Sequence, residues 1–448
     1  MVADRLWLTL SRCSIATHND DTVCRLSIVT RAKDPHFAQE SKAMQQRRNL
    51  SLSLIPSTPR IRQSCAQLAL KIAAFAIMLS GCLAAAHATT TLNLDDNSTI
   101  EFRDGSVDVA TGSGQLIDVI LIEGGEVVLR AEQVDLLAEG ALGEADWLIR
   151  DLTAKNVEFP EESIFVGELV IREFAAGAVS SGNIPDDVSL IFGEGARLQM
   201  RNISISSDEF LVAIDEFATR PLRYGALADG TVVITKAGAA ISGLSVMPVA
   251  GSGGDDAFMK QLRARGMDAI IFDMQIDAVS RIVGPHLEMS YQIAADMRGL
   301  GGFQFDMGMR VNSALYAQIL PLLNSPDQNT AAFLSLSSAV SLTNAGLVVN
   351  DTGIGDILME ISADEQGVRP ADMRTTTRLL LADSVRGTFP QNASWLLPPL
   401  DALLKAGGRL DVRVAPPAPV PFSSMIGFMM LPDMALDQLG VNVTHRPR

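Results

Sequence analysis

Five histidines serve 448 residues, and His18, His36 and His87 all precede Thr89. That leaves His286, in Gly284-Pro285-His286, and His445, in the last four residues. No H-E-x-x-H and no Cys/His cluster occurs, so the usual zinc site fails on ligand count. A Ser-His-Asp triad would have to use His286, yet no G-x-S-x-G elbow accompanies it. His286 reads better as a turn residue at the start of a strand. Acids stand in pairs at Asp95-Asp96, Glu161-Glu162, Asp186-Asp187 and Asp255-Asp256. Such pairs could hold calcium or cleave a glycoside, but none has EF-hand spacing, and adjacent acids on a strand point to opposite faces. They read as solvated surface. The glycine runs at 251–254 and 299–302 do not join a strand to a helix, so they read as linker and hairpin rather than phosphate cradles. No catalytic residue, metal site or cofactor is expected.

One run is apolar rather than catalytic. Behind the stiff segment Pro416-Pro417-Ala418-Pro419-Val420-Pro421 come Met425, Ile426, Phe428, Met429, Met430, Leu431 and Met434. Methionine makes adaptable apolar surface. Met425, Phe428, Met429, Met430 and Met434 are therefore the candidate contact surface for a lipid or partner, with core packing beneath a sheet as the plainer alternative.

The compartment is written in residues 60–88. Arg60, Arg62 and Lys71 precede an uncharged stretch from Ile72 to Ala86, the layout of a secretory signal. The apolar run is shorter than the roughly 20 residues that span a bilayer. Ala86-His87-Ala88 is an A-x-A exit, and Leu79-Ser80-Gly81-Cys82 is a lipobox that would lipidate Cys82 and hold the chain at a membrane. The expectation is a periplasmic protein starting at Thr89, with a Cys82 lipoprotein as the alternative. Residues 1–59 are expected to lie outside the mature protein, translation starting downstream. Cys13, Cys24, Cys65 and Cys82 are the four cysteines, so a chain cut after Ala88 has no thiol to mispair.

The net charge of −16 over the whole chain becomes about −22 from Thr89 onward. Phosphate backbones are repelled by such a field, so no nucleic acid is expected as partner. An apolar lipid groove needs no positive field and stays open. Aromatic residues make up 5%, too few for the two girdles of an outer-membrane barrel.

The elements that must carry these residues are mostly strands. From 89 to 249, short Val/Ile/Leu runs alternate with turn signals such as Asp104-Gly105, Gly124-Gly125 and Gly182-Asn183. In Ala196–Ser206 the apolar parity switches between Met200 and Ile203, which predicts a β-bulge near Arg201-Asn202. Gly251-Ser252-Gly253-Gly254 marks a joint, and 250–448 is expected to form a second, α+β domain. There Phe272, Met274, Ile276 and Ala278 alternate with Asp273, Gln275 and Asp277, and Phe303 to Val311 alternates likewise. Period 2 means one wet and one buried face, hence an antiparallel sheet. Ile354, Ile357, Leu358 and Ile361 form a helical stripe that ends by Gly367. Pro370 opens the next helix, and another is expected over Pro399–Ala406. The fold class is α+β and β-dominated: antiparallel sheets of short amphipathic strands, with helices on one face of the C-terminal sheet.

Asp151-Leu152-Thr153-Ala154-Lys155-Asn156-Val157-Glu158-Phe159 and Ala196-Arg197-Leu198-Gln199-Met200-Arg201-Asn202-Ile203 resemble the strand repeats of AsmA-like envelope proteins. Asn344-Ala345-Gly346-Leu347 and Gln366-Gly367-Val368 are similar to segments of uncharacterised periplasmic proteins of proteobacteria. The resemblance implies envelope biology and contact with lipid or an outer-membrane assembly, and lends no residue a role. The functional expectation is a non-enzymatic protein that binds a lipid or an envelope partner through a sheet surface or groove. The alternatives are a carboxylate-driven hydrolase of an envelope polymer and a structural module whose sheet edge a partner completes.

Overall fold

The computed structural model describes residues 91–93, 98–108, 111, 113–140, 148–175, 192–208, 210–249, 257–316 and 339–448, all within one compact unit, Ala76–Arg448. The export signal with Cys82, three of the four acid pairs and the 251–254 glycine run lie outside them.

The described chain is β-dominated, and its strands form a single eighteen-stranded sheet. In order they are β1 (Thr91–Asn93), β2 (Ser98–Glu101), β3 (Asp104–Asp108), β4 (Ser113–Glu123), β5 (Glu126–Glu139), β6 (Leu148–Phe159), β7 (Ile164–Phe174), β8 (Phe192–Ser206) and β9 (Phe210–Thr219). Then come β10 (Arg223–Ala226), β11 (Val232–Pro248), β12 (Ile270–Val283), β13 (His286–Met297), β14 (Gly301–Asn312), β15 (Val340–Asp351), β16 (Gly408–Val414), β17 (Val420–Pro421) and β18 (Val441–Arg446). Every pairing is antiparallel, as the period-2 pattern requires. β11 pairs with β9 on one side and β12 on the other, so strands from before residue 249 and after residue 269 share one ladder. Several strands are longer than their turn signals predict; β11 reaches 17 residues because Gly238 and Gly243 lie within the ladder rather than at its ends.

A crease crosses the first half of this sheet. Asp118, Asn156, Asn202 and Gly243 have φ of 53, 49, 53 and 64°, the left-handed region that Asn, Asp and Gly tolerate best. The register aligns Asp118, Glu132, Asn156, Gly167, Asn202, Asp215 and Gly243 on one line across seven strands. At that line each strand turns two consecutive residues outward. Leu116 and Val119, Ala154 and Val157, and Met200 and Ile203 therefore all stay buried on one face. The parity switch at Met200/Ile203 is thus a left-handed residue and not an inserted one: pairing is in step on both sides of Asn202. Asn156 Nδ2 donates to Glu132 Oε2 along the same line.

Helices follow. α1 (Ala257–Ala264) buries Met259 and Leu262 against Leu300 and Ile357, the latter from α2 (Ile354–Gln366). Gly367 ends α2 with φ 65°, and Pro370 opens α3 (Pro370–Thr388), both as the sequence predicts. α4 runs Ala393–Ala406 and begins well before Pro399; Pro398 and Pro399 sit inside it. Each proline gives up one helical hydrogen bond. The helix persists because Ala393 and Leu396 are buried and Trp395, Leu397 and Leu400 pack with Val385, Leu436 and Val443. α5 (Ser423–Met430) and α6 (Pro432–Gln438) precede β18. Met297, under α1 and α2, and Val443, against α4, belong to the same face of the sheet. The helices therefore cover one face, as expected.

Candidate functional site

The C-terminal sheet has two faces of opposite chemistry, and register decides which residues share each. On the apolar face, Ile276, Ile293, Phe305, Leu347, Val412 and Val443 form one row across β12 to β18. Met274, Ala295, Phe303, Val349 and Leu410 form the next. Helices α1 and α2 pack near Met297 and Ile270, and α4 packs at Val443. Between them the face stays accessible: Ile276 is 39% exposed, Phe303 45% and Leu347 36%. A scattered exposed leucine needs no explanation, but three large apolar side chains on one face within four consecutive strands make a patch.

The methionine run lies elsewhere. Met425, Met429 and Met430 are on α5, with side chains outside the description, and Phe428 of the same helix is half-buried. Met434 on α6 is 51% exposed, beside Leu431 at 56%. α5 packs by α6 and β17. The apolar face of β12, β14 and β15 was legible as alternation, but nothing local distinguishes its open middle from its covered ends.

The opposite face is polar and hollow. Ala240, Gln275, Ala294, Gln304 and Val348 form one row, with Asp273, Asp296, Gly302, Asn350 and Arg409 beside it. Short side chains at Ala240, Ala294 and Gly302 leave a trough of about 490 Å³ between these rows. A second hollow of about 270 Å³, lined by Asp277, Ser290, Gln292, Asp306 and Asn344, adjoins it at Gln304. Arg298 Nε donates to Asp273 Oδ2 at 2.9 Å, and the Gly243 N–H donates to Asp273 Oδ1 at 2.7 Å. The Arg298 guanidinium, opposed by partial burial and helped by the Gly243 N–H, holds the Asp273 carboxyl below its ordinary range. Elsewhere on the face Arg310 pairs with Glu288, Arg220 with Asp277, and Arg413 with Asp411.

The carboxyl groups whose acidity is shifted are held in their ionised form. Asp229, Asp273, Asp356, Asp372, Asp401 and Asp411 are all shifted downward, each by hydrogen bonds to its ionised form, whereas a general acid needs an upward shift. His286 begins β13 half-buried, its Nδ1 without a partner among the described residues. The His445 ring Nε2 lies 2.8 Å from the Gly407 carbonyl oxygen, a structural contact. Glu161 and Glu162 sit in the turn between β6 and β7. Among the described residues no three His, Cys, Asp or Glu side chains converge as a metal site, and no helix is long and apolar enough to cross a membrane.

A family model described as "Uncharacterized protein" matches residues 294–446. That span runs from within β13 to the end of β18 and holds most of both faces just described. No curated protein matches the chain.

Proposed function

We propose that this is an exported, non-enzymatic protein of the cell envelope that binds the acyl chains of a lipid on the apolar face of its C-terminal sheet. The observation that carries the reading is the exposed set Ile276, Phe303 and Leu347 on β12, β14 and β15, between two groups of helices that cover the same face. Acyl chains need only dispersion and release of water, which such a face supplies at roughly 25 cal/mol per Å² covered. Met274 and Met307 on the same face add deformable surface. The signal-like segment at 60–88 and the resemblance of the strand repeats to AsmA-like envelope proteins point the same way.

The alternative of a carboxylate hydrolase has one feature in its favour: Asp273 and Asp296 are direct cross-strand neighbours in the polar trough. It is weakened by Arg298, which commits Asp273 to an ion pair.

The test is native-mode mass spectrometry on protein expressed with its own signal in a Gram-negative host, beside cell fractionation. The expected result is periplasmic protein starting at Thr89, or at an acylated Cys82, with a lipid-sized adduct. That adduct should vanish in an Ile276→Ser, Phe303→Ser, Leu347→Ser variant that keeps its β circular dichroism. A wild type that is lipid-free and does not bind vesicles overturns the reading.

A further inference from the structure

On the polar face, charge is sorted along one register row. Asp273, Asp296, Gly302, Asn350, Arg409 and Arg446 follow one another across β12, β13, β14, β15, β16 and β18. Two acids stand directly opposite each other at one end and two arginines at the other. Like charges in direct cross-strand register are destabilising, so this sorting works against the fold. Most charges on the face avoid the problem by pairing with an opposite charge. The side chains of Asp296, Gln304, Asn350 and Arg409, which all line the trough, make no hydrogen bond or close ion pair among the described residues. Arg409 reaches Asp411 only as a distant field, because Asp411 is hydrogen-bonded to Arg413.

The gap between the two ends is set by backbone. A side chain at Gly302 would collide with the Ala295 carbonyl oxygen, so the floor is held open there. Three strand spacings separate the Asp296 and Arg409 columns, about 14 Å. That is too far for the two to neutralise one another directly. It matches an extended chain of about four residues, at 3.3–3.6 Å each.

We propose that the trough binds a short extended peptide with free ends, its ammonium group at Asp296 and its carboxylate at Arg409. Gln304 and Asn350 lie between the ends and offer amide donors and acceptors to the peptide backbone. The site is on the face opposite the apolar patch, so it stands or falls independently of lipid binding.

The test is isothermal titration of the full mature protein with tetra-alanine carrying free termini. The comparators are its N-acetylated form, its C-amidated form and free alanine. Arg409→Gln and Asp296→Asn are the variants; both residues are exposed, and circular dichroism should show them folded. Each charge-assisted contact is expected to carry about tenfold in affinity. Binding should therefore weaken by about that factor when either terminus is blocked or either residue is changed. Asp296→Asn should act on the N-acetylated peptide little if at all, because the ammonium it serves is already gone. The proposal is overturned if tetra-alanine does not bind, if free alanine binds equally well, or if both variants bind as the wild type does.

Discussion

The carboxylate of Asp215 fills the space that a side chain on Gly243 would need. Gly243 is left-handed at φ 64°, and a Cβ built on it would overlap the Asp215 carboxyl group. The two residues end the crease that begins at Asp118, so the join between β9 and β11 depends on a glycine with no room to change. Gly243→Ala should lower stability by about 2 kcal/mol or more, combining left-handed strain with a displaced carboxylate. Urea denaturation read by circular dichroism measures it. A change under about 0.5 kcal/mol would mean the strand relaxes freely there.

Asn156 and Asn202 test the same line with less crowding. Asn202→Gly should be close to neutral, because glycine accepts the left-handed backbone that Asn202 already adopts at φ 53°. Asn202→Val should cost about 2 kcal/mol, since a β-branched residue resists that conformation. The two melts together separate backbone strain from loss of a polar side chain.

Leu262 and Leu380 make a contrast in burial. Leu262 is 0% exposed in the cluster with Met259, Leu300 and Ile357, whereas Leu380 on α3 is 65% exposed. Leu262→Ala should cost about 2–5 kcal/mol, and Leu380→Ala less than about 0.5 kcal/mol. Differential scanning calorimetry on both variants decides.

Asn392 is buried and links two elements. Its Nδ2 donates to the Asp433 carbonyl oxygen at 3.2 Å and to Asp433 Oδ1 at 3.1 Å, and its Oδ1 accepts from Trp395 Nε1 at 2.9 Å. Asn392→Leu leaves the indole N–H without its partner and the Asp433 carboxylate with only the Gln391 N–H, at a cost of about 1–3 kcal/mol. The fluorescence of Trp395 should shift in the folded state, which a purely surface role for Asn392 would not produce.

Acid should loosen the helical layer. The Asp356 carboxyl is held below the ordinary carboxylate range, first by the Arg374 guanidinium and then by Arg448. Because the folded carboxyl is the stronger acid, its stabilisation is complete above the unfolded pKa and is lost as pH falls from there through the folded value. Asp401, held down by Arg378, behaves alike. Denaturant midpoints should therefore drop below about pH 4, and Asp356→Asn should flatten that drop while lowering stability at pH 7. A midpoint that does not change between pH 5 and pH 3 would remove this ion pair from the account.

How much of this was legible in the chain depends on the range of the force involved. Alternation along Phe272–Ala278 and Phe303–Val311 determined an antiparallel, two-faced sheet, because a strand sends successive side chains to opposite sides whatever its neighbours do. Gly367 and Pro370 determined a helix end and a helix start for equally local reasons of φ and missing N–H. The same reasoning placed the start of α4 too late, since only the buried contacts of Trp395 and Leu396 hold a helix through Pro398 and Pro399. It also read the parity switch at Asn202 as a bulge, because an inserted residue and a left-handed one look identical until the partner strands show that no register is lost. The methionine run drew attention for its composition, whereas the exposed apolar patch formed from Ile276, Phe303 and Leu347, three residues on three strands. The row from Asp273 to Arg446 spans more than 170 positions of sequence, roughly the size of a whole domain. Which of its charges become neighbours is set by hydrogen-bond register between strands, and register is a property of the folded sheet that no single strand contains.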